Sequence, residues 1–355
     1  MERLGRLRDG GVGLSGDEAT LGWGLVGCGW LATDFAAPAI HASRNGHLAA
    51  AFDPRRPAAE AVGAERVHGS LRALLADPGV GAVYVCTPNH LHAEHAVAAS
   101  EAGVPCLCEK PMARDAAEAE RMVAAVERGG APIATAFDQR HHPAHLELKR
   151  RIDAGELGTL TCVRIHYACW TGRDWAPEGH RDHDNWRVDP ARAGGGAMID
   201  LAPHGLDLFQ TLVGERVADV SCFLQRRVHG DTPVDDGAVI NARTASGVLL
   251  SQAVAYNRPE AFPRRTLEVY GTEAMARCEN TMGQDPGGTL TLTRAAGGPP
   301  ETIEFPMDGR SPFLNLVERF ADAVLRRRAG AAWPLDPRAD LHTMRLLDAC
   351  AEGGR

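Results

Sequence analysis

Lysine is nearly absent from this chain. Of its 38 lysine and arginine residues, only Lys110 and Lys149 are lysines. Other shortages narrow the range of functions. Positive charge is in deficit, with 46 acids giving a net charge of −8 and no basic block, so no nucleic-acid partner is expected. No apolar run approaches the ~20 residues of a membrane-spanning helix, so no membrane partner is expected either. The nine cysteines are scattered without a CxxC pair. They read as buried free thiols in a reducing, cytoplasmic setting, with no metal site. The first 20 residues lack the apolar core of a signal peptide and read as a flexible extension.

What remains is rich in Ala, Gly, Arg and Asp. In such a composition a surface cation is normally arginine, so a retained lysine calls for a reason. An ammonium can be tuned by burial and neighbours, whereas a guanidinium keeps its proton. Lys110 lies in "CLCEKPMA", after a glutamate and before a proline that fixes the exit angle of the chain.

From about residue 21 to 137, short apolar runs alternate with helical stretches: "WGLVG", "HLAAAFD", "GAVYVCTP", "VPCLCE" and "PIATAF" as strands, "HAEHAVAASEAG" and "DAAEAERMVAAVERGG" as helices. This alternation predicts an α/β domain on a parallel sheet. "GCGWLA" sits at the first strand-to-helix turn, with Gly27 permitting the turn and Gly29 letting a pyrophosphate approach the backbone. Asp53 closes the second strand 24 positions after Gly29. Its carboxylate suits ribose hydroxyls and repels a 2′-phosphate, which favours NAD, while Arg55 and Arg56 keep NADP open. Beyond the Rossmann-type half, "LTCVRIHYA", "GAVINART", "GVLLSQAVAY", "RTLEVYG" and "TLTLT" read as strands, the second and third joined as a hairpin.

Asp200 and His204, at i and i+4 after three glycines, share a helix face. Taken alone, the pair also reads as a helix salt bridge or half of a metal site. Asp207, one turn on, reads as structural. "RHHP", from Arg140 to Pro143, reads as loop surface or a substrate-wall element.

Three pieces together, "GCGWLA", "TPNHLH" and "EKP", resemble the Gfo/Idh/MocA family, named for glucose–fructose oxidoreductase and inositol dehydrogenase. "NWRVDPARAGGGAMIDLAPH" extends the resemblance, which covers about residues 21 to 351. The chain departs from the family pattern in its N-terminal extension and in "GTEAM", where many members carry a second glycine. The resemblance implies a Rossmann domain over residues 21–140. A C-terminal α+β domain over 141–355 would be built on an open, mostly antiparallel sheet that pairs subunits into a homodimer or homotetramer.

It also implies NAD(P)-dependent hydride transfer to or from a secondary alcohol, with Lys110, Asp200 and His204 catalytic. The implied cofactor contacts are Gly27, Gly29, Trp30, Leu31, Asp53, Arg55, Thr87, Pro88, Asn89, His92, Glu109, Lys110, Trp186 and Arg187. The implied substrate is a sugar, aminosugar or cyclitol. Arg140, Asp182, His183 and Asp184 are candidate substrate contacts, and the acids and tryptophans of residues 171–190 suggest an amino-bearing ligand such as an aminoglycoside intermediate. A neutral sugar or inositol dehydrogenase is the alternative enzyme. A non-catalytic dinucleotide sensor is the alternative of another class, and the intact Lys110, Asp200 and His204 speak against it.

Overall fold

The computed structural model describes residues 20–180 and 184–354. Asp182 and His183 lie outside the described residues. The first sheet contains β1 (Leu21–Val26), β2 (Gly46–Phe52), β3 (Arg66–Val67), β4 (Ala82–Val85), β5 (Cys106–Cys108) and β6 (Ile133–Thr135), all parallel, in the order β3-β2-β1-β4-β5-β6. Every residue of β1 is buried, as a strand covered on both faces requires. The crossovers carry α1 (Ala37–Ala42), α2 (Arg56–Ala61), α3 (Leu71–Leu75), α4 (His92–Glu101) and α5 (Ala116–Glu127). Ser70 caps α3 and Asp115 caps α5, each accepting from a backbone N–H of the first turn. The strand order reverses between β1 and β4, so a crevice opens beyond their carboxyl ends.

After α6 (Pro143–Asp153) the chain enters a second sheet of β7 (Leu160–Ala168), β8 (Val217–Gln225), β9 (Gly237–Thr244), β10 (Leu249–Ala255), β11 (Arg265–Gly271), β12 (Ala274–Glu279), β13 (Gly288–Arg294) and β14 (Glu301–Phe305). Its order is β14-β13-β12-β11-β7-β10-β9-β8, and only the β7–β10 pairing is parallel. Between β7 and β8 lie α7 (Pro190–Ala193) and α8 (Ala197–Val213). Alternate residues of β9 are buried and exposed, so one sheet face packs on helices and the other is open. On the open face Phe223 is 75% exposed and pairs across the strands with Val239, 46% exposed.

The last two helices depart from the expected division. The expected C-terminal domain, residues 141–355, includes α9 (Pro312–Arg328) and α10 (Pro337–Gly353). Instead, α9 packs on the first sheet: Phe320 meets Trp23 of β1 at 5.5 Å between ring centroids, and Phe313 stacks on Phe35 at 5.3 Å. Asn45 Nδ2 donates to the Glu318 carbonyl over 2.9 Å. The apolar face of α9 supplies Phe313, Leu316, Val317, Phe320 and Val324 to the core behind β1. The helix α10 bridges the sheets, contacting β8 while Asp340 accepts from Thr135 N in β6 over 3.0 Å.

Candidate active site

Three loops leave the carboxyl ends of β1, β4 and β5. In the first, Gly27 has φ +83°, and a Cβ there would lie 2.6 Å from Thr87 Cγ2, so only glycine fits. Gly29 has no neighbour within 4 Å of where a Cβ would stand. Its backbone therefore faces open space at the start of a helix that enters α1 through a π-turn, Ala32–Ala36. That cradle fits a dinucleotide pyrophosphate. Leu31 packs against the core below. Asp53 Oδ2 accepts from Cys28 N over 2.8 Å and Oδ1 from Arg55 N over 2.8 Å, fixing the acid beside the glycine loop. Arg55 pairs with Asp53 and Arg56 with Glu60.

The next two loops are tied together by a buried imidazole. The ring nitrogens of His92 each lie 2.8 Å from a carbonyl oxygen, one of Thr87 and one of Pro111, so His92 links the Thr87-Pro88-Asn89 turn to the Lys110–Pro111 turn. Burial pulls its pKa down to about 4 against those two carbonyls. Asn89 is also turned inward, and its Nδ2 donates to the Ala193 carbonyl over 2.8 Å. Glu109 is buried and accepts from the Tyr84 hydroxyl over 2.7 Å. The side chains of Asn89, His92 and Glu109, expected at the cofactor, are thus committed to protein partners, because each lies below the loop surface where an unpaired polar group would be costly.

The helix α8 brings the second half of the site. Its N-terminus is capped by Asp235, whose carboxylate accepts from Gly196 N and Met198 N, both over 2.8 Å. A Cβ at Gly196 would lie 2.0 Å from the Asp235 carbonyl, which explains that glycine. One turn in, Asp200 meets Lys110. The lysine Nζ donates to Asp200 Oδ1 over 2.6 Å and to the Asp200 carbonyl over 2.9 Å. Tyr256 donates its hydroxyl to Asp200 Oδ2 over 2.7 Å, and Arg187 Nε lies 3.8 Å from the same oxygen. Burial opposes ionisation of Asp200, but the charges of Lys110 and Arg187 outweigh it and hold the carboxyl well below the usual carboxylate range. Pro203 sits between Asp200 and His204 inside the helix. The His204 ring meets the Tyr167 ring edge-on at 5.4 Å, and its Nδ1 lies 3.0 Å from Asp138 Oδ1.

Residues 170–180 and 184–189 form a strap that reaches the glycine loop. The Arg187 guanidinium lies over the rings of Trp186, Trp175 and Trp30 at 4.6, 5.4 and 5.7 Å. Trp30 and Trp175 meet edge-on at 5.6 Å, and His180 Nε2 lies 3.1 Å from Asp34 Oδ1. Trp30, Trp186 and Arg187, predicted at the cofactor, thus form one cluster joining the two halves of the chain.

Two stretches of sequence family models match this chain. One describes an oxidoreductase family with an NAD-binding Rossmann fold and matches residues 21–137; the other is the GFO/IDH/MocA C-terminal domain and matches residues 145–277. The D-xylose 1-dehydrogenase (NADP(+)) 2 of Haloferax volcanii is 30% identical over 342 residues, covering 93% of this chain and 96% of that protein. The chain belongs to the Gfo/Idh/MocA family.

The 1,5-anhydro-D-fructose reductase of Ensifer adhaerens is 29% identical over 306 residues, covering 85% of this chain and 87% of that one. A levoglucosan dehydrogenase solved with NADH and levoglucosan superposes with a TM-score of 0.81 at 25% identity, over 94% of this chain and 97% of its own. This Gfo/Idh/MocA chain is therefore an oxidoreductase with an NAD-binding Rossmann domain.

Its structure alters several expectations for individual residues. Arg140, expected at the substrate, is instead clamped by Asp207, with Nε donating to Oδ2 over 2.9 Å and a second contact between Nη2 and Oδ1. Its partner is a buried carboxylate on α8, one turn beyond His204. His142, expected at a loop surface, is fully buried and caps α6, its Nδ1 accepting from Ala144 N over 3.1 Å. Asp184 is exposed and pairs with Arg192 over 2.7 Å. Asp138 and Tyr256 went unnoticed in the sequence. Asp138 follows β6 as Lys110 follows β5, so position at a strand end was the available signal. Tyr256 carried none, since only the long-range fold brings the end of β10 to Asp200.

Proposed function

We propose that the chain catalyses reversible hydride transfer between NAD and a secondary alcohol of a sugar or cyclitol. The reading rests on one observation above others: Lys110 at the end of β5 is bonded to Asp200, with His204 one turn along the same helix. A bound nicotinamide would supply the hydride acceptor for oxidation and the donor for reduction. His204 takes the hydroxyl proton, since imidazole is a base suited to neutral pH. Lys110 donates to the same oxygen and stabilises alkoxide charge as it develops. Asp200 holds the ammonium in place through its carboxylate and its carbonyl. Asp53, held beside the glycine loop, favours NAD over NADP, since Arg55 and Arg56 each already have an acidic partner. The open face of the second sheet, with Phe223, Val239 and Leu249 exposed, suits a homodimer or homotetramer. The protein works in the cytoplasm.

A second reading concerns the substrate. Asp174, Glu178 and Asp184 are exposed on the strap. They suit an amino-bearing sugar or cyclitol, as in the aminoglycoside branch of secondary metabolism. A dehydrogenase screen of neutral sugars, cyclitols and aminosugars with both cofactors tests both readings. Oxidation of a neutral sugar or cyclitol is expected. If only cationic substrates turn over, with a kcat/KM that shrinks with salt and on Asp184→Asn, the second reading holds. No turnover of any alcohol or ketone would overturn the proposed reaction.

A further inference from the structure

The loop after β6 places a carboxylate against the imidazole of α8. Asp138 opens the short turn Asp138–His141 and is 3% exposed. Its Oδ1 lies 3.0 Å from His204 Nδ1 as a close charge contact, and among the described residues both are buried polar atoms with no hydrogen-bond partner of their own. The other oxygen is held too: Gln139 Nε2 donates to Asp138 Oδ2 over 2.9 Å. Gln139 is itself clipped to one backbone unit, donating to the Gly283 carbonyl over 2.9 Å and accepting from Gly283 N over 3.3 Å. That pair of contacts fixes which end of the amide faces Asp138. On the far side, Tyr167 meets the imidazole edge-on.

We propose that Asp138 is a positioning residue that holds His204 in the tautomer with its proton on Nδ1, leaving Nε2 as the base. This rests on the reading of His204 as the catalytic base. An ionised carboxylate can only accept, so the nitrogen facing it must carry the proton. Burial raises the Asp138 pKa, but His204 and Lys110 nearby more than offset this and keep it below its ordinary value, so the acid is ionised at neutral pH. In oxidation Nε2 would take the substrate O–H proton as C=O forms, with a bound oxidised nicotinamide to receive the C–H hydride. The resulting imidazolium keeps its Nδ1–H against Asp138 and later returns the Nε2 proton to water. A positive ring facing a buried carboxylate is stabilised as the proton arrives, which places part of the driving force for the step outside the substrate contacts.

The test begins with the unaltered protein and no cofactor. Ring-¹⁵N-labelled histidine spectra, with His204 assigned by its loss in His204→Gln, report which nitrogen carries the proton. The Nδ1–H form is expected, and an Nε2–H form would overturn the assignment. In Asp138→Asn, the amide can present an N–H to Nδ1 and reverse the tautomer. Turnover should fall about 100-fold or more, with KM and NAD affinity changed by less than about threefold. A variant that keeps both tautomer and turnover overturns the proposal. Normal turnover in His204→Gln would remove the base assignment instead, while the tautomer of the unaltered protein would still judge Asp138.

Discussion

Lys110 gives two hydrogen bonds to a single residue, donating from Nζ to the Asp200 carboxylate over 2.6 Å and to the Asp200 backbone carbonyl over 2.9 Å. The lysine is therefore registered both to the charge and to the helix that carries His204. An arginine's planar fork spreads its donors over three nitrogens and could not direct them from one point at both Asp200 oxygens and the substrate oxygen. Lys110→Ala and His204→Ala should each lower turnover by about 100-fold or more in steady-state assays. Equilibrium titration of the His204 variant should show NAD affinity little changed, because His204 lies away from the glycine loop. Near-normal turnover in both variants would refute the mechanism.

Cofactor choice follows from Asp53. Replacing it with serine removes the carboxylate that repels a 2′-phosphate and frees Arg55. The kcat/KM ratio of NAD to NADP should fall in Asp53→Ser. An unaltered enzyme that already prefers NADP by about tenfold, a difference of 1.4 kcal/mol, would show the arginines outweighing the acid.

Two glycines in one turn should fail differently. At Gly27, with φ +83° and Thr87 Cγ2 2.6 Å from a Cβ, alanine should cost about 1–3 kcal/mol of stability, read as a lower melting temperature. At Gly29 a Cβ meets nothing, so Gly29→Ala should melt normally. It should nevertheless bind NAD about tenfold more weakly or worse, because the methyl group occupies the pyrophosphate's approach. Equal melting losses at both positions would mean the second glycine serves packing.

Glu109 ties stability to pH. Burial raises its carboxyl from the ordinary 4.5 to about 7, against the Tyr84 hydroxyl bond and Lys110. Between those values the folded chain binds more protons than the unfolded chain, so this group's contribution to stability falls as pH rises through the window. Glu109→Gln keeps an acceptor for Tyr84 and removes the titration. Relative to Glu109→Gln, the unaltered protein should be more stable at pH 5 than at pH 8, by on the order of 1–3 kcal/mol. Asp340, also raised by burial, to about 6, is common to both proteins and cancels. A difference that does not change with pH would show Glu109 ionised throughout.

Much of this site was legible because parallel strands advertise their ends. The residues after β1, β4 and β5 follow short apolar runs, so the sequence itself puts Gly27, Thr87 and Lys110 on one edge. The helical spacing of Asp200 and His204 put both on one face. Side-chain direction was less legible. Asn89, His92 and Glu109 stand at the right edge but turn inward, and burial of this kind depends on what packs beneath a loop. Arg140 was read by its charge, whereas its partner Asp207 lies 67 positions away. The return of α9 to the first sheet was hidden for the same reason, since its apolar stripe says that it packs but not on what.

That return has a consequence for how the protein comes into being. Domains emerging from the ribosome ordinarily fold in order, the N-terminal one first. Here the core behind β1 lacks Phe313, Leu316, Val317 and Phe320 until α9 has been translated. Trp23, already beside Tyr84, and Phe35, already beside Trp30, gain Phe320 and Phe313 only then. The nucleotide-binding core is thus begun long before α9 and completed only with it, and removing α9 strips apolar cover from the sheet that carries the glycine loop.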